Sequence, residues 1–479
     1  LDRSIRDLAR RPEGRRGLGV DILSEPAAAH LDGSSEVERF LSAHPDVEVI
    51  EYLITDSNGV LRGKWGPVES LKKAFADGVN FPVSMFGLDV WGREVMETGL
   101  HVETGDSDGF SRAVPGSLRI VPWADRPTAQ VLLTMHGERG EPFDGDPRVC
   151  LQKIVDRFLA KGLTPCCAIE LEFYLLDPKA SPMPNGMLAP VYRASSGPSP
   201  QNMYALEDLA EHRAVFSDIW DMGKAQGLPI DTMVSEAAPG QFEVNLKHRA
   251  DPMAAADDGV MLRRLVCEVA RKHGLKASFM AKPFIDVAGN GLHVHVSLLD
   301  GLGHNVFADP VTGERQLKHC IGGLIDTMNA ATLLFVPTWN GYRRMQPGSY
   351  APTTASWGYN NRSVGVRIPA SPAEARRLEH RIAGADANPY LVLAAIFAGM
   401  LEGLEREIEP PEPLTGNAYD HDAERLSPDM AVAVERFAGS QFVGRAFGAD
   451  YRRIYAVMKR EEMAAFTRCV LPLEYETYL

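Results

Sequence analysis

The sequence predicts an α+β protein in two unequal parts: a small strand-rich region over roughly 36–137 and a larger mixed region over 138–479. Three observations predict it. Val47–Trp65 reads strand, turn, strand, with apolar, β-branched VEVIEYLI, the turn residues Asp56-Ser57-Asn58-Gly59, and then VLRGKW. Near Pro147 the period changes, and RVCLQKIVDRFLAKGL spaces its apolar residues as an amphipathic helix ending near a glycine. Beyond it, helical patterns at 252–273 and 315–333 alternate with apolar strand patterns at 166–176, 230–246, 276–285, 291–299 and 362–369.

Within the first part, SLRIVPW and AQVLLTMHG add strands after a Gly/Asp-rich loop at Gly105–Gly109, with one or two helices expected. Residues 1–35 read as an N-terminal arm or first surface helix; Leu1–Arg16 is arginine-rich without the apolar stretch of a secretory signal. The longest apolar run, Leu391–Leu401, falls short of the roughly 18 residues of a membrane span and reads as a buried helix. No repeats or coiled-coil heptads are present.

Composition narrows the function. A formal net charge of -14 argues against nucleic-acid binding, which needs a basic face. The cysteines, Cys150, Cys166, Cys167, Cys267, Cys320 and Cys469, form no C-x-x-C pair, so reduced thiols and a cytoplasmic location are expected.

The chemistry lies where charges interrupt apolar strands. In CCAIELEFYLL, Glu170 and Glu172 sit two apart and share a strand face. Buried without partners, each would cost roughly several kcal/mol. An exposed edge strand with a solvated acidic face is the alternative for this segment alone. The pattern recurs: Glu236 and Glu243 flank a Pro-Gly turn in DTMVSEAAPGQFEVNL, His293 and His295 share a face in GNGLHVHVSLL, and Glu379 sits among Arg376, Arg377 and Arg381. A shared polar interior neutralised by divalent metal accounts for all four segments. Carboxylates with an imidazole favour Mg²⁺ or Mn²⁺, and so many ligands favour two or more ions.

Arg343, Arg344, Arg362, Arg367, Arg377 and Arg381 follow, suited to bidentate recognition of phosphate or carboxylate. Any one of them alone reads as a structural salt bridge; interleaved with metal ligands they point to phosphoryl transfer, which works by positioning and charge neutralisation. Neither a Walker A sequence nor G-x-G-x-x-G occurs, so ATP would bind outside those frameworks. The H-x-H pair alone could open an amidohydrolase site, but its company is glutamate. Cys166-Cys167 lacks a base partner and reads as core packing.

Together E-x-E in CAIELEFYLL, EAAPGQFE, FMAKPFIDVAGNGLHVHVSLLD, NGYRRMQPGSYAP, NNRSVGVRIP and RRLEHRIAGADANPYL resemble the glutamine synthetase family, in order from about Glu51 to the C-terminus. D-x-NGVLRGKW, FMAKPF and GADANPYL look like its γ-glutamylpolyamine (γ-glutamylputrescine) synthetase branch. The resemblance implies an N-terminal β-grasp domain over 36–137 and a catalytic domain over 138–479 whose curved antiparallel sheet forms a funnel. It implies a dodecamer of two hexameric rings with sites between neighbouring subunits. By position, Glu172, Glu236 and Glu243 would hold one metal, and Glu170, His293 and Glu379 a second. Asp231, His295, Ser297, Arg362, Arg367 and Arg377 would contact ATP; Gly289, Arg344 and Arg381 would grip L-glutamate. Asp56 of the adjacent subunit would face the amine and, with Glu236, help remove its proton. Tyr204 would line the same pocket.

Two departures set this chain apart from the family pattern. Ala288 stands where the glutamate-binding loop has asparagine, and Tyr350 stands where the flap has glutamate. Both point from ammonia to an organic amine. Three readings follow: a glutamate–amine ligase acting through γ-glutamyl phosphate, an ammonia-using glutamine synthetase, or a non-catalytic scaffold of the same architecture.

Overall fold

The structure is a computed structural model describing residues 33–137, 139–180, 188–191 and 203–479. The expected arm over 1–35 therefore lies almost wholly outside the described residues; helix α1 (Gly33–Ala43) opens the fold. The hairpin β1 (Val49–Thr55) and β2 (Leu61–Pro67), helix α2 (Leu71–Ala76), β3 (Val79–Pro82), β4 (Asp108–Ala113), β5 (Arg119–Ile120) and β6 (Thr128–His136) follow. They form one sheet in the order β2-β1-β6-β4-β3, with β5 beside β6. The β1–β2 pair is antiparallel and β1–β6 parallel, so the sheet is mixed.

The larger part begins with α3 (Pro147–Leu159), β7 (Thr164–Asp177), β8 (Ala189–Pro190), α4 (Leu206–Glu211) and α5 (Arg213–Ala225). Next come β9 (Ile230–Ser235), β10 (Gln241–Leu246), α6 (Pro252–Lys272), β11 (Lys276–Ser278) and β12 (Leu292–Leu299). The long helix α7 (Gly313–Phe335) leads to β13 (Trp357–Tyr359), β14 (Val366–Ile368), β15 (Leu378–His380) and α8 (Pro389–Arg406). Helices α9 (Met430–Gly439), α10 (Gln441–Phe447), α11 (Ala449–Thr467) and α12 (Pro472–Tyr478) close the chain.

The second sheet runs β13-β14-β15-β12-β7-β10-β9, with β11 and β8 also on β7, and curls into a half-barrel. Its pairings are antiparallel except β13–β14, which is parallel. Strand β7 is its spine. Ile169, Leu171 and Phe173 turn to the core, while Glu170 and Glu172 turn the other way, as period-two alternation requires. The helical layer covers the core face. Three of its helices start alike, with an Asx cap and proline in the first turn: Asp146-Pro147, Asp251-Pro252 and Asn388-Pro389. Leu391–Leu401 lies within α8 and is buried throughout. No helix among the described residues is long and apolar enough to cross a membrane.

One expected strand is mostly loop. Of 276–285 only Lys276–Ser278 pairs, because the Asn290 side chain donates to the carbonyls of Ser278 (3.2 Å) and Met280 (2.9 Å) in place of a ladder, and Pro283 has no N–H to give. Likewise 230–246 is a hairpin of two strands, and 362–369 pairs only over Val366–Ile368. Buried ion pairs join the two sheets through α6: Arg119 to Asp258 at 3.0 Å, and Arg264 to Glu51. Removing one partner of such a pair typically costs about 3–5 kcal/mol, so α6 fixes the first sheet against the second.

Candidate active site

On the polar face of the second sheet, strand register does the assembling. Glu172 lies opposite Glu243 on β10, and Glu170 lies opposite Asn245 on one side and His293 on the other. His295 pairs in register with Glu379, and Glu379 with Arg367. Glu236 arrives from the turn after β9, its N–H bonded to the Gln241 carbonyl at 2.9 Å. All of these but His295 line one cavity of about 580 Å³.

Three groupings place ligand atoms within 4.8 Å of one another: Glu172/Glu236/Glu243, Glu170/Glu243/His293 and Glu170/His295/Glu379. The first coincides with the expected first metal set. The expected second set is divided between the other two. His295 Nε2 bonds Glu170 at 2.7 Å, while His293 Nδ1 reaches the other Glu170 oxygen at 3.4 Å. Glu379 meanwhile accepts from Arg367 at 2.7 Å and from Arg381. Arg377 Nε donates to His295 Nδ1 at 3.1 Å, so that ring nitrogen accepts and the proton sits on Nε2.

The two halves differ electrostatically. Burial would push the Glu170 carboxyl up, but its bonds to His293 and His295 outweigh this and hold it well below the usual range. Glu379, buried as well, is brought down to about 2 by Arg381 and the two histidines. Glu236 and Glu243 go the other way. Burial, then the charge of Glu172, raises Glu236 to about 7; burial, then Glu170, Glu172 and Glu236, raises Glu243 well above the ordinary value. Among the described residues none of Glu172, Glu236 and Glu243 forms an ion pair. Three neighbouring carboxylates with no protein cation suit a hard divalent ion, so the donor set fits Mg²⁺ or Mn²⁺.

Of the expected glutamate-binding residues, Gly289, Arg344 and Arg381 line the cavity. Arg344 is 5% exposed and donates to the Ile382 carbonyl at 2.8 Å. Its approach depends on Gly291, where a Cβ would stand 2.7 Å from Arg344 Nη2 and 2.8 Å from His293 Nε2. Tyr204 and Tyr350 line the cavity, more than half exposed, at φ 66° and 58°, a left-handed conformation rare for large side chains. The Tyr204 hydroxyl accepts from Arg362 at 3.5 Å.

The expected ATP contacts are only partly gathered. Arg362 and Arg367 line the cavity; Asp231, His295, Ser297 and Arg377 do not. His293, His295 and Ser297 follow one face of β12, so the row leads away from the carboxylates. Asp56 is not brought to this cavity within the chain. It is fully buried in the β1–β2 turn, where Oδ1 accepts from the N–H groups of Asn58 and Val60 at 2.9 Å and Oδ2 pairs with Arg62 at 2.9 Å.

Residues not singled out from the sequence also belong here. Gln241 and Asn290 are buried beside the carboxylates, and Tyr174 Oη donates to the Ala288 carbonyl at 2.7 Å. His248, exposed, stands near His295 and Arg377. A polar residue directly after Pro-Gly was the available sign of Gln241.

The family described as glutamine synthetase, catalytic domain, matches residues 144–478. Gamma-glutamylputrescine synthetase PuuA of Escherichia coli (strain K12) is 40% identical over 454 residues, covering 93% of this chain and 94% of that protein. Glutamate–isopropylamine ligase of Pseudomonas sp is 33% identical, covering 93% of this chain and 97% of its own. The solved structure of a GmaS/ADP complex superposes with a TM-score of 0.81 at 29% identity, covering 92% of this chain and 99% of that one. The chain belongs to the glutamine synthetase family.

Proposed function

We propose that the protein is an ATP-dependent ligase that joins the γ-carboxylate of L-glutamate to an organic amine. The observation that carries it is the single cavity lined by a carboxylate triad at one side and by Arg344, Arg362, Arg367 and Arg381 around it. A carboxylate is a poor electrophile. Transfer of the ATP γ-phosphoryl to a glutamate γ-oxygen breaks the bond to ADP and forms an acyl phosphate. The amine nitrogen then attacks the carbonyl carbon, phosphate departs, and the amide remains.

Arg344 and Arg381 would hold the substrate glutamate beside Gly289. Arg362, Arg367 and Arg377, with His295 and Ser297 along the β12 row and Asp231 on β9, would hold ATP. Glu172, Glu236 and Glu243 would hold one Mg²⁺ or Mn²⁺ and Glu170, His293 and Glu379 a second, with His295 available to it. When bound, the ions offset phosphate charge. A primary ammonium has a pKa of roughly 10 and must lose a proton to attack; Glu236, at the cavity, and Asp56 of a neighbouring chain are assigned that role. The neighbouring-chain role fits an assembly of two stacked hexameric rings.

An organic acceptor rather than ammonia is favoured by Ala288 and Tyr350, and by two relatives whose names specify putrescine and isopropylamine. A polyamine such as putrescine leads the candidates. The mixed first sheet over 36–137 supports a β-grasp domain preceding a catalytic domain over 138–479. All six cysteines are free, as a reducing cytoplasm allows.

The test is ADP release with glutamate and a panel of putrescine, spermidine, monoamines, ethanolamine and ammonia. Turnover with an organic amine well above that with ammonia is expected. Ammonia as the sole acceptor would make the protein a glutamine synthetase, and silence with all amines would make it a scaffold.

A further inference from the structure

Gln241 opens β10 and is 1% exposed. Its Nε2 lies 3.0 Å from the Gly289 carbonyl, 3.1 Å from Asn290 Oδ1 and 3.4 Å from Glu172 Oε2. Its Oε1 accepts from the Ala238 N–H at 3.3 Å, inside the turn that carries Glu236. Two amide hydrogens serve three acceptors, and all four contacts go to pieces of the site.

The acceptors are themselves fixed. Asn290 is fully buried and holds the carbonyls of Ser278 and Met280, so it cannot follow Gln241 if that side chain moves. Glu172 Oε2 also accepts from the Gly291 N–H at 2.7 Å. One carboxylate of the triad and the glycine loop therefore share both a backbone bond and the Gln241 amide. Tyr174 holds the same loop at the Ala288 carbonyl, and among the described residues its hydroxyl bonds no member of the triad.

We propose that Gln241 is a positioning residue that fixes the Glu172 carboxylate and the Gly289 loop relative to each other, so that cation affinity and glutamate affinity depend on the same side chain. The inference rests on the ligase reading, which puts a divalent ion at Glu172 and glutamate at Gly289. Gln241→Met keeps the volume and removes the four side-chain hydrogen bonds, leaving the backbone bonds in place. Groups that orient metal ligands typically contribute 10–100-fold in affinity, so losses of about 10-fold or more are expected.

The experiment measures Mn²⁺ affinity by electron paramagnetic resonance without substrates, and KM for glutamate and ATP with kcat, for wild type, Gln241→Met, Gln241→Leu and Tyr174→Phe. Expected for Gln241→Met are Mn²⁺ affinity and glutamate KM each worse by about 10-fold, with ATP KM and saturated kcat within about 3-fold. Tyr174→Phe should raise glutamate KM and leave Mn²⁺ affinity alone. Gln241→Leu serves the same comparison if the methionine variant does not fold. A folded Gln241 variant in which only one affinity moves, or neither, overturns the proposal. Wild type that binds neither Mn²⁺ nor glutamate overturns the ligase reading and this proposal with it.

Discussion

Glu172 and Glu243 stand directly opposite each other on β7 and β10, with Glu236 within reach of both and, among the described residues, no cation paired to any of the three. Like charges placed so close cost stability unless an ion lies between them. Glu243→Gln is therefore expected to stabilise the metal-free protein, by about 1–2 kcal/mol, while removing turnover. Denaturant titration in chelator checks it. A destabilised, fully active variant contradicts it.

The pH dependence has a definite sign. The folded pKa of Glu236, raised to about 7, exceeds the ordinary 4.5. Its contribution is thus fully present below about 4.5 and is lost as pH rises through 7. Other groups titrate in the same window, so the difference between Glu236→Gln and wild type is the quantity to follow. In chelator the variant's advantage should grow between pH 5 and 8, by about 1–3 kcal/mol. A difference independent of pH contradicts this.

Arg344 offers substrate a buried, charge-assisted contact, typically about 1.5–3 kcal/mol. Arg344→Met should raise the glutamate KM roughly 10- to 150-fold with ATP KM nearly unchanged. Steady-state kinetics with each substrate varied decides it. Equal effects on both substrates would detach Arg344 from glutamate.

Tyr350 lines the cavity on a strained backbone, where the family pattern has glutamate. Tyr350→Glu should lower the ratio of kcat/KM for putrescine over that for ammonia by about 10-fold, the equivalent of about 1.4 kcal/mol. An unchanged ratio removes Tyr350 from amine selection.

Asp56 separates two roles. Asp56→Ala strands two backbone N–H groups and Arg62 and should cost about 2–4 kcal/mol. Asp56→Asn keeps an acceptor for the turn. If the amine role holds, this variant stays folded yet loses about 10-fold in turnover at limiting amine. Unchanged turnover confines Asp56 to holding its turn.

How far the residues reveal the site follows from what each signal measures. Period-two alternation puts Glu170 and Glu172 on one face, and His293 and His295 on another strand's face, because strand geometry alone decides it. The cluster of Glu172, Glu236 and Glu243 is legible for that reason and because a short turn ties Glu236 to Glu243. The division of Glu170, His293, His295 and Glu379 depends on which strands become neighbours and on where Arg367 and Arg381 point, and spacing carries neither. The loop at 279–285 reads as strand because Phe279, Ala281 and Phe284 do pack, yet Asn290 takes its hydrogen bonds. Gln241 passes unnoticed because its one sign, a polar residue directly after Pro-Gly, carries no charge to mark it as chemistry. Asp56 shows the reverse: a turn motif fits both a local bonding role and a distant chemical one.

The most direct measurement is Mn²⁺ binding to chelator-stripped protein, by electron paramagnetic resonance or calorimetry, in wild type and Glu243→Gln. Wild type should bind at least two ions per chain, and the variant should lose one of them or bind it at least about 100-fold more weakly. Wild type with no ion bound at millimolar Mn²⁺, or a variant identical to it in number and affinity, would contradict a cation site at Glu172, Glu236 and Glu243.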